Sequence, residues 1–267
     1  MTPYLSVIIP AYNEERRISK TLNAVHHYLS QQPYDWEMLI VLDGPRDDTI
    51  GKVVEFAQSK QGGKNGRIRW INRTVNKGKG YTIREGMLAA RGKIRLFTDA
   101  DNSTDMCHFD QMQPLFDQGA GVVIGSRDRK DAAGAHQAIP QPALKRLLGN
   151  LGNLIIQALV VPGIWDTRCG FKAFTGEAAN RVFAVARMDG WSIDDESLAL
   201  ARRFGYSIKV IPADWIDAAG THVSKLDYLK NILEAFQIRW NLLRGIYRQP
   251  TPLSDDQHTH RPVIEEL

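Results

Sequence analysis

Apolar runs and polar breaks alternate through the first half of the chain. "LSVIIPAYNEE" is a short apolar run closed by Pro10, followed by acidic residues that suit the start of a helix buried through Leu22, Val25 and Leu29. "WEMLIVLDG" repeats the figure, with a strand over Met38 to Leu42, a stop at Asp43-Gly44 and a helix from Asp48 to Gln58. "IRWINR" reads as a third strand, "NKGKGYTIREGMLAARG" as a glycine-rich loop and helix, "KIRLFTDAD" as a fourth strand and "AGVVIGSR" as a fifth. The pattern predicts an α/β fold: a Rossmann-like, mostly parallel sheet flanked by helices, with right-handed crossovers and ligands collected at the carboxyl ends of the strands.

After Arg127 the pattern loosens. A polar loop with Gly134 and Pro140 precedes an uncharged stretch, Leu147 to Trp165. Its amides Asn150, Asn153 and Gln157 recur at helical spacing opposite Leu148, Leu151, Ile155 and Leu159, which favours an amphipathic helix over a membrane span. "DTRCGFKAF", a helix around Ala178 to Ala186, "GWSIDDESLALARRFGY" and a strand "IKVIPADW" follow. From Leu226, the residues Leu229, Leu233, Phe236, Trp240, Leu243 and Tyr247 step by three and four along a basic helix. The chain therefore divides into a main domain over 1–223, a basic amphipathic helix over 224–248 and a disordered tail over 249–267.

Composition changes this picture little. With 43% hydrophobic and 24% charged residues, 267 residues bury an ordinary globular core. A formal charge of +4 demands no nucleic acid, while local basic clusters remain suited to phosphates or an anionic membrane. Cys107 and Cys169 lack metal spacing and read as free thiols of a reducing cytosol. No signal peptide is visible.

The chemistry gathers where the strands end. Asp99 and Asp101, separated by one residue, suit one divalent cation, Mg2+ or Mn2+, that shares its other positions with water and phosphates. They equally suit a turn and an N-cap, with Asp105 opening the next helix. Asp43 closes the second strand, and "NKGKG" sets Lys77 and Lys79 between glycines that let backbone N–H groups approach an anion. Taken together these features describe a cleft for a nucleoside diphosphate. Arg127, Lys145, Arg146, Arg168 and Lys172 supply cations for a further phosphate. Trp191 and Trp215 read as core.

The ordered set "SVIIPAYNEE", "VLDGPRDDT", "NKGKG", "DAD" and "GSR" resembles the inverting nucleotide-sugar glycosyltransferases of the GT-A fold, family 2. "DTRCGFKAF" and "WSIDDE" extend the likeness toward the polyprenyl-phosphate branch, above all dolichyl-phosphate glucosyltransferases and their mannosyl relatives. The resemblance implies that Pro10, Ala11, Tyr12, Glu14, Asp43, Lys77, Gly78, Lys79, Asp99 and Ala100 bind the nucleotide donor. It further implies that Asp99, Asp101 and Ser103 hold the metal, and that Asp101, Arg127 and Asp194 act in catalysis. Leu42 and Pro45 depart from the usual VDDGS, leaving the base contact to Asp43. The membrane-spanning helix that many members carry at one end is not seen.

The expected activity is transfer of a hexose, glucose from UDP-glucose, to a polyprenyl or dolichyl phosphate by a peripheral protein on the cytoplasmic membrane face. A phosphate monoester, with its second pKa at about 6, is already largely dianionic at neutral pH and needs cations more than a base. Two alternatives stand beside it: a soluble family 2 enzyme glycosylating a saccharide hydroxyl, with Asp194 or Glu196 as base, and a non-catalytic nucleotide-sugar-binding protein whose last helix forms a homodimer.

Overall fold

The computed structural model describes residues 2–60, 65–137, 152–215, 225–248 and 264–266. Strand β1 (Leu5–Ala11) leads through helix α1 (Ile18–Ser30) to β2 (Trp36–Asp43), and α2 (Thr49–Ser59) leads on to β3 (Gly66–Arg73). Next come α3 (Lys79–Ala89), β4 (Ile94–Thr98), α4 (Phe109–Asp117) and β5 (Val122–Ser126). The second half adds a short β6 (His136–Gln137), α5 (152–159), β7 (Phe171–Thr175), α6 (Gly176–Phe183) and α7 (Ile193–Arg203). It closes with β8 (Ile208–Pro212), β9 (Asp214–Trp215), α8 (Lys225–Arg244) and β10 (Ile264–Glu266).

The main sheet has the order β10-β3-β2-β1-β4-β7-β5-β8. β1 to β4 pair in parallel, as strand–helix alternation dictates, and so do β5 and β8. β7 enters antiparallel between β4 and β5, a direction that the apolar pattern of "FKAF" does not signal. Three residues of the tail read as disordered, Ile264–Glu266, pair antiparallel with β3.

Helices on both faces explain why the strands read as nearly continuous apolar runs. Side chains alternate between two cores: Leu5, Val7, Ile9, Met38, Ile40 and Leu42 meet α1, α2 and α4, while Ile8, Leu39 and Val41 meet α3, α6 and α7. Gly86 lets α3 lie close on the sheet, since a Cβ there would fall 2.5 Å from Ile8 Cγ2 and 2.9 Å from Val41 Cγ2. At the amino-terminal end of the sheet a buried carboxylate, Glu37, accepts hydrogen bonds from Ser6 Oγ, Arg69 Nη1 and the Arg91 N–H.

That carboxylate fixes three segments at once, so Glu37→Ala should cost about 3 to 5 kcal/mol by taking the carboxylate from a buried guanidinium. In thermal unfolding this appears as a fall on the order of 10 °C. A midpoint within a degree of wild type would show that the network contributes nothing net.

Candidate active site

Asp43, Asp99, Asp101 and Arg127 end or follow strands β2, β4 and β5, and Asp194 lies in the first turn of α7. Asp43 ends β2, only 3% exposed, and both its oxygens are taken: Oδ1 by the Lys77 N–H at 2.8 Å and Arg73 Nη2 at 2.7 Å, Oδ2 by the Gly78 N–H at 2.9 Å. The anion cradled by the glycine loop is therefore Asp43 itself. The glycines of "NKGKG" serve the chain: a Cβ on Gly78 would lie 2.4 Å from the Asp189 carbonyl oxygen, and one on Gly80 2.2 Å from that of Met188. The loop is clamped between Asp43 and residues 188–190, so a base or ribose contact by Asp43 would have to compete with three existing donors.

Asp99 and Asp101 follow β4. The Asp99 side chain is 35% exposed, and its Oδ1 pairs with Lys79 Nζ at 2.7 Å. Gly170 leaves the room beside it, since a Cβ there would fall 1.9 Å from Asp99 Oδ2. Asp101 Oδ1 accepts from the Ser103 N–H at 3.0 Å and from Ser103 Oγ at 2.5 Å. Ser103 thus orients Asp101. The intervening Ala100 is buried, its carbonyl accepting from Thr21 Oγ1 at 2.6 Å. Glu14, after Pro10, Ala11 and Tyr12 at the end of β1, is paired with Arg17 at 2.7 and 2.8 Å.

Lys172 and Asp194 form the floor. Lys172 on β7 is 0% exposed, and its ammonium donates to Asp194 Oδ1 and to the Cys169 carbonyl. Expected among the phosphate-binding cations, it instead fixes Asp194, because its strand points it into the core. Burial alone would raise Asp194, but Lys172 and then Lys79 outweigh it and hold the carboxyl below its ordinary range. Burial likewise opposes the charge on Lys79, yet Asp99 and Asp194 prevail and raise it. Glu196 faces away from the cleft: it accepts the Arg187 and Met188 N–H groups and the Tyr247 hydroxyl.

Arg127, after β5, forks onto Asp166 through Nε at 2.7 Å and Nη2 at 2.8 Å, while its own N–H reaches Asp166 Oδ2 at 2.8 Å. Its guanidinium also lies 5.3 Å from the centroid of the Trp215 ring. Arg168, from the same loop as Asp166, donates to Asp195 Oδ2 at 2.9 Å. Both arginines remain partly open, with side chains 25% and 30% exposed. Lys145 and Arg146 lie outside the described residues.

Sequence reasoning missed Asp166, Asp195, Asp131 and Arg17. Asp131 accepts the Trp165 and Asp166 N–H groups at 2.7 Å each and so locks the Arg127 loop to the Asp166 loop. No linear spacing joins 127 to 166. An acid beside the cations of "DTRCGFK" was the only signal. Trp191 is no core residue: it is 54% exposed, over Lys79 Nζ at 4.9 Å.

Residues 6–183 match the family model described as "Glycosyl transferase family 2". The chain belongs to glycosyl transferase family 2. This family 2 glycosyltransferase is 32% identical over 258 residues to a dolichyl-phosphate beta-glucosyltransferase of Dictyostelium discoideum, covering 92% of this chain and 76% of the relative. It is 31% identical over 261 residues to the Homo sapiens dolichyl-phosphate beta-glucosyltransferase, covering 92% and 78%. The GT-A fold is shared with solved structures. Glucosyl-3-phosphoglycerate synthase from Mycobacterium tuberculosis, in complex with Mn2+, UDP and glucosyl-3-phosphoglycerate, superposes with TM-score 0.60 at 18% identity over 93% of this chain and 81% of that one. Mannosyl-3-phosphoglycerate synthase from Rubrobacter xylanophilus gives TM-score 0.61 at 14% identity, over 97% and 80%. The enzyme is thus a hexosyltransferase of the dolichyl-phosphate glucosyltransferase-like kind.

Among the described residues no cluster of three His, Cys, Asp or Glu side chains is arranged for a metal. The pair Asp99 and Asp101 nonetheless fits a cation that takes its remaining positions from a diphosphate. The Asp99 side chain is 35% exposed, and Ser103 occupies only one oxygen of Asp101.

The Arg127–Asp166 fork makes a pH prediction. Burial would raise the Asp166 carboxyl, but Arg127 overrides it and brings it from 3.8 down to about 2. The pair therefore stabilises the fold fully above about pH 4, and that gain, about 2 kcal/mol, is lost as pH falls toward 2. Urea unfolding should show the gap between wild type and Asp166→Asn shrinking by this amount between about pH 5 and about pH 2. A gap independent of pH would remove the pair from the stability account.

Proposed function

We propose that the protein transfers glucose, with inversion, from UDP-glucose to a polyprenyl phosphate such as dolichyl phosphate while bound peripherally to a membrane surface, its cytoplasmic face. The observation that carries this reading is that Asp194, the base of the saccharide-hydroxyl alternative, is buried and ion-paired with Lys172, which lowers its carboxyl below the ordinary range. A carboxylate so stabilised is a poor acceptor for the proton of a sugar hydroxyl, whereas a phosphate monoester brings its own charged oxygen. The names of the relatives, which pair glucosyl transfer with dolichyl phosphate, support the same choice.

Asp99 and Asp101 would hold Mg2+ or Mn2+, which neutralises charge on the departing diphosphate. Lys79, 2.7 Å from Asp99 Oδ1, would bring a second positive charge to the same part of the cleft. Arg127 and Arg168 are held on Asp166 and Asp195 with their forks only partly used, so that their remaining N–H groups would receive the acceptor phosphate. Being already paired, they are positioned before the acceptor arrives.

Helix α8 supports the membrane part of the proposal. Ala235 and Ile238 seal its inner side against the core, with Tyr247 buried in the turn that follows it, while Leu233, Phe236, Trp240 and Leu243 form an outward stripe, each more than half exposed. Arg239 and Arg244 stand exposed beside that stripe, Arg244 over the Trp240 ring at 4.4 Å. Apolar and aromatic side chains flanked by arginines suit an anionic bilayer interface. No helix of the described residues is long and apolar enough to cross a membrane.

The test is transfer of labelled glucose from UDP-glucose to a short polyprenyl phosphate in anionic vesicles. Lipid-linked glucose should form and require a divalent cation. Asp101→Ala should abolish it. Arg127→Ala should cut kcat/KM for the lipid by on the order of thirtyfold to a thousandfold, with UDP affinity nearly unchanged. Phe236→Glu together with Trp240→Glu should release the protein from the vesicles. Transfer to a free sugar hydroxyl but never to a polyprenyl phosphate would overturn the proposal.

A further inference from the structure

Lys79 stands between two carboxylates, Asp99 and Asp194. Its Nζ is 2.7 Å from Asp99 Oδ1 and 3.8 Å from Asp194 Oδ2, beneath the exposed indole of Trp191. The backbone sets this position: Gly78 and Gly80 press the start of α3 against residues 188–190, which delivers Lys79 beside the start of α7. Asp194 is in turn fixed by Lys172 through its other oxygen. The ammonium thus has a close carboxylate toward the cleft and a slightly farther one toward the core. A shift of about 1 Å toward Asp194 would complete that second pair at ordinary ion-pair distance and leave Asp99 Oδ1 open.

We propose that Lys79 is the resident counter-cation of Asp99, which exchanges Asp99 for Asp194 when a divalent cation enters with the nucleotide, so that metal and nucleotide bind as a coupled pair and bare metal binds weakly. The inference rests on the metal-dependent reading above and adds to it a role for one side chain of this protein. Without nucleotide, an incoming divalent cation meets a carboxylate pair already half neutralised and must displace the ammonium against their mutual repulsion. A nucleoside diphosphate brings the negative charge that offsets both cations. Linkage requires the coupling to be reciprocal, with UDP binding strengthened by the metal by the same factor.

The experiment is titration of Mn2+ alone, and then of Mn2+ with UDP, following the free Mn2+ signal by electron paramagnetic resonance. Lys79→Met should bind Mn2+ alone about tenfold more tightly than wild type, and UDP should enhance that binding less than in wild type. Lys79→Gln, which keeps a donor without charge, should behave like Lys79→Met, and Lys79→Arg like wild type. Melting temperatures near that of wild type show that the variants are folded. If wild type takes up Mn2+ with UDP and the uncharged variants bind Mn2+ alone no more tightly, the role given to Lys79 is wrong. If wild type takes up no Mn2+ even with UDP, the metal-dependent reading fails, and this inference with it.

Discussion

Four charged side chains of alternating sign, Lys172, Asp194, Lys79 and Asp99, run from the core to the cleft, and the site depends on them. Lys172 is wholly buried and Asp194 nearly so, whereas Asp99 reaches solvent. A buried ammonium is costly unless paired, so Lys172 fixes Asp194; Asp194 is then a rigid anion that keeps Lys79 near. Lys79 in turn holds Asp99 in place against Gly170, whose missing side chain makes room for the carboxylate. Each group answers the desolvation of the one below it.

The fold supplies the members of this row from four separate places: β7, the start of α7, the start of α3 and the end of β4. Sheet order brings β4 and β7 side by side, with Phe97 opposite Lys172 in register, and the clamp on the glycine loop brings α3 to α7. A second pairing, Arg127 with Asp166, does the same for the outer cations. Helix α8 reaches the same neighbourhood, since a Cβ on Gly190 would lie 3.3 Å from Glu234 Oε1. The apolar stripe of α8 and the Trp191 turn over Lys79 therefore belong to one continuous piece of structure.

Much of the parallel part of the fold was legible because β1, β2 and β4 are buried on both faces and α1 and α2 carry a 3.6-residue apolar period. The direction of β7 was not legible, since antiparallel and parallel central strands bury the same residues. At the site, the placement of Asp99, Asp101 and Arg127 at strand ends was legible by residue type, whereas Asp194 was picked out by the family resemblance of "WSIDDE". Their partners were harder. Asp166 and Asp195 are joined to Arg127 and Arg168 only by tertiary folding, and Lys172 was assigned to a phosphate because a sequence does not show which side of an antiparallel strand faces the core. The glycines of "NKGKG" were read as space for a ligand's anion, whereas the close approach they permit is to the chain's own backbone.

The central claim is that the acceptor supplies its own charged nucleophile while the protein's carboxylates serve as fixed anions. The pH dependence of kcat/KM tests it most directly, measured with a polyprenyl phosphate and with a phosphonate analogue whose second pKa is higher. The account predicts a single rise near the acceptor's own second pKa, at about 6 for the phosphate, and a shift of that rise to higher pH with the phosphonate. A rise that stays at the same pH with both acceptors would belong to a base on the enzyme and would contradict the account.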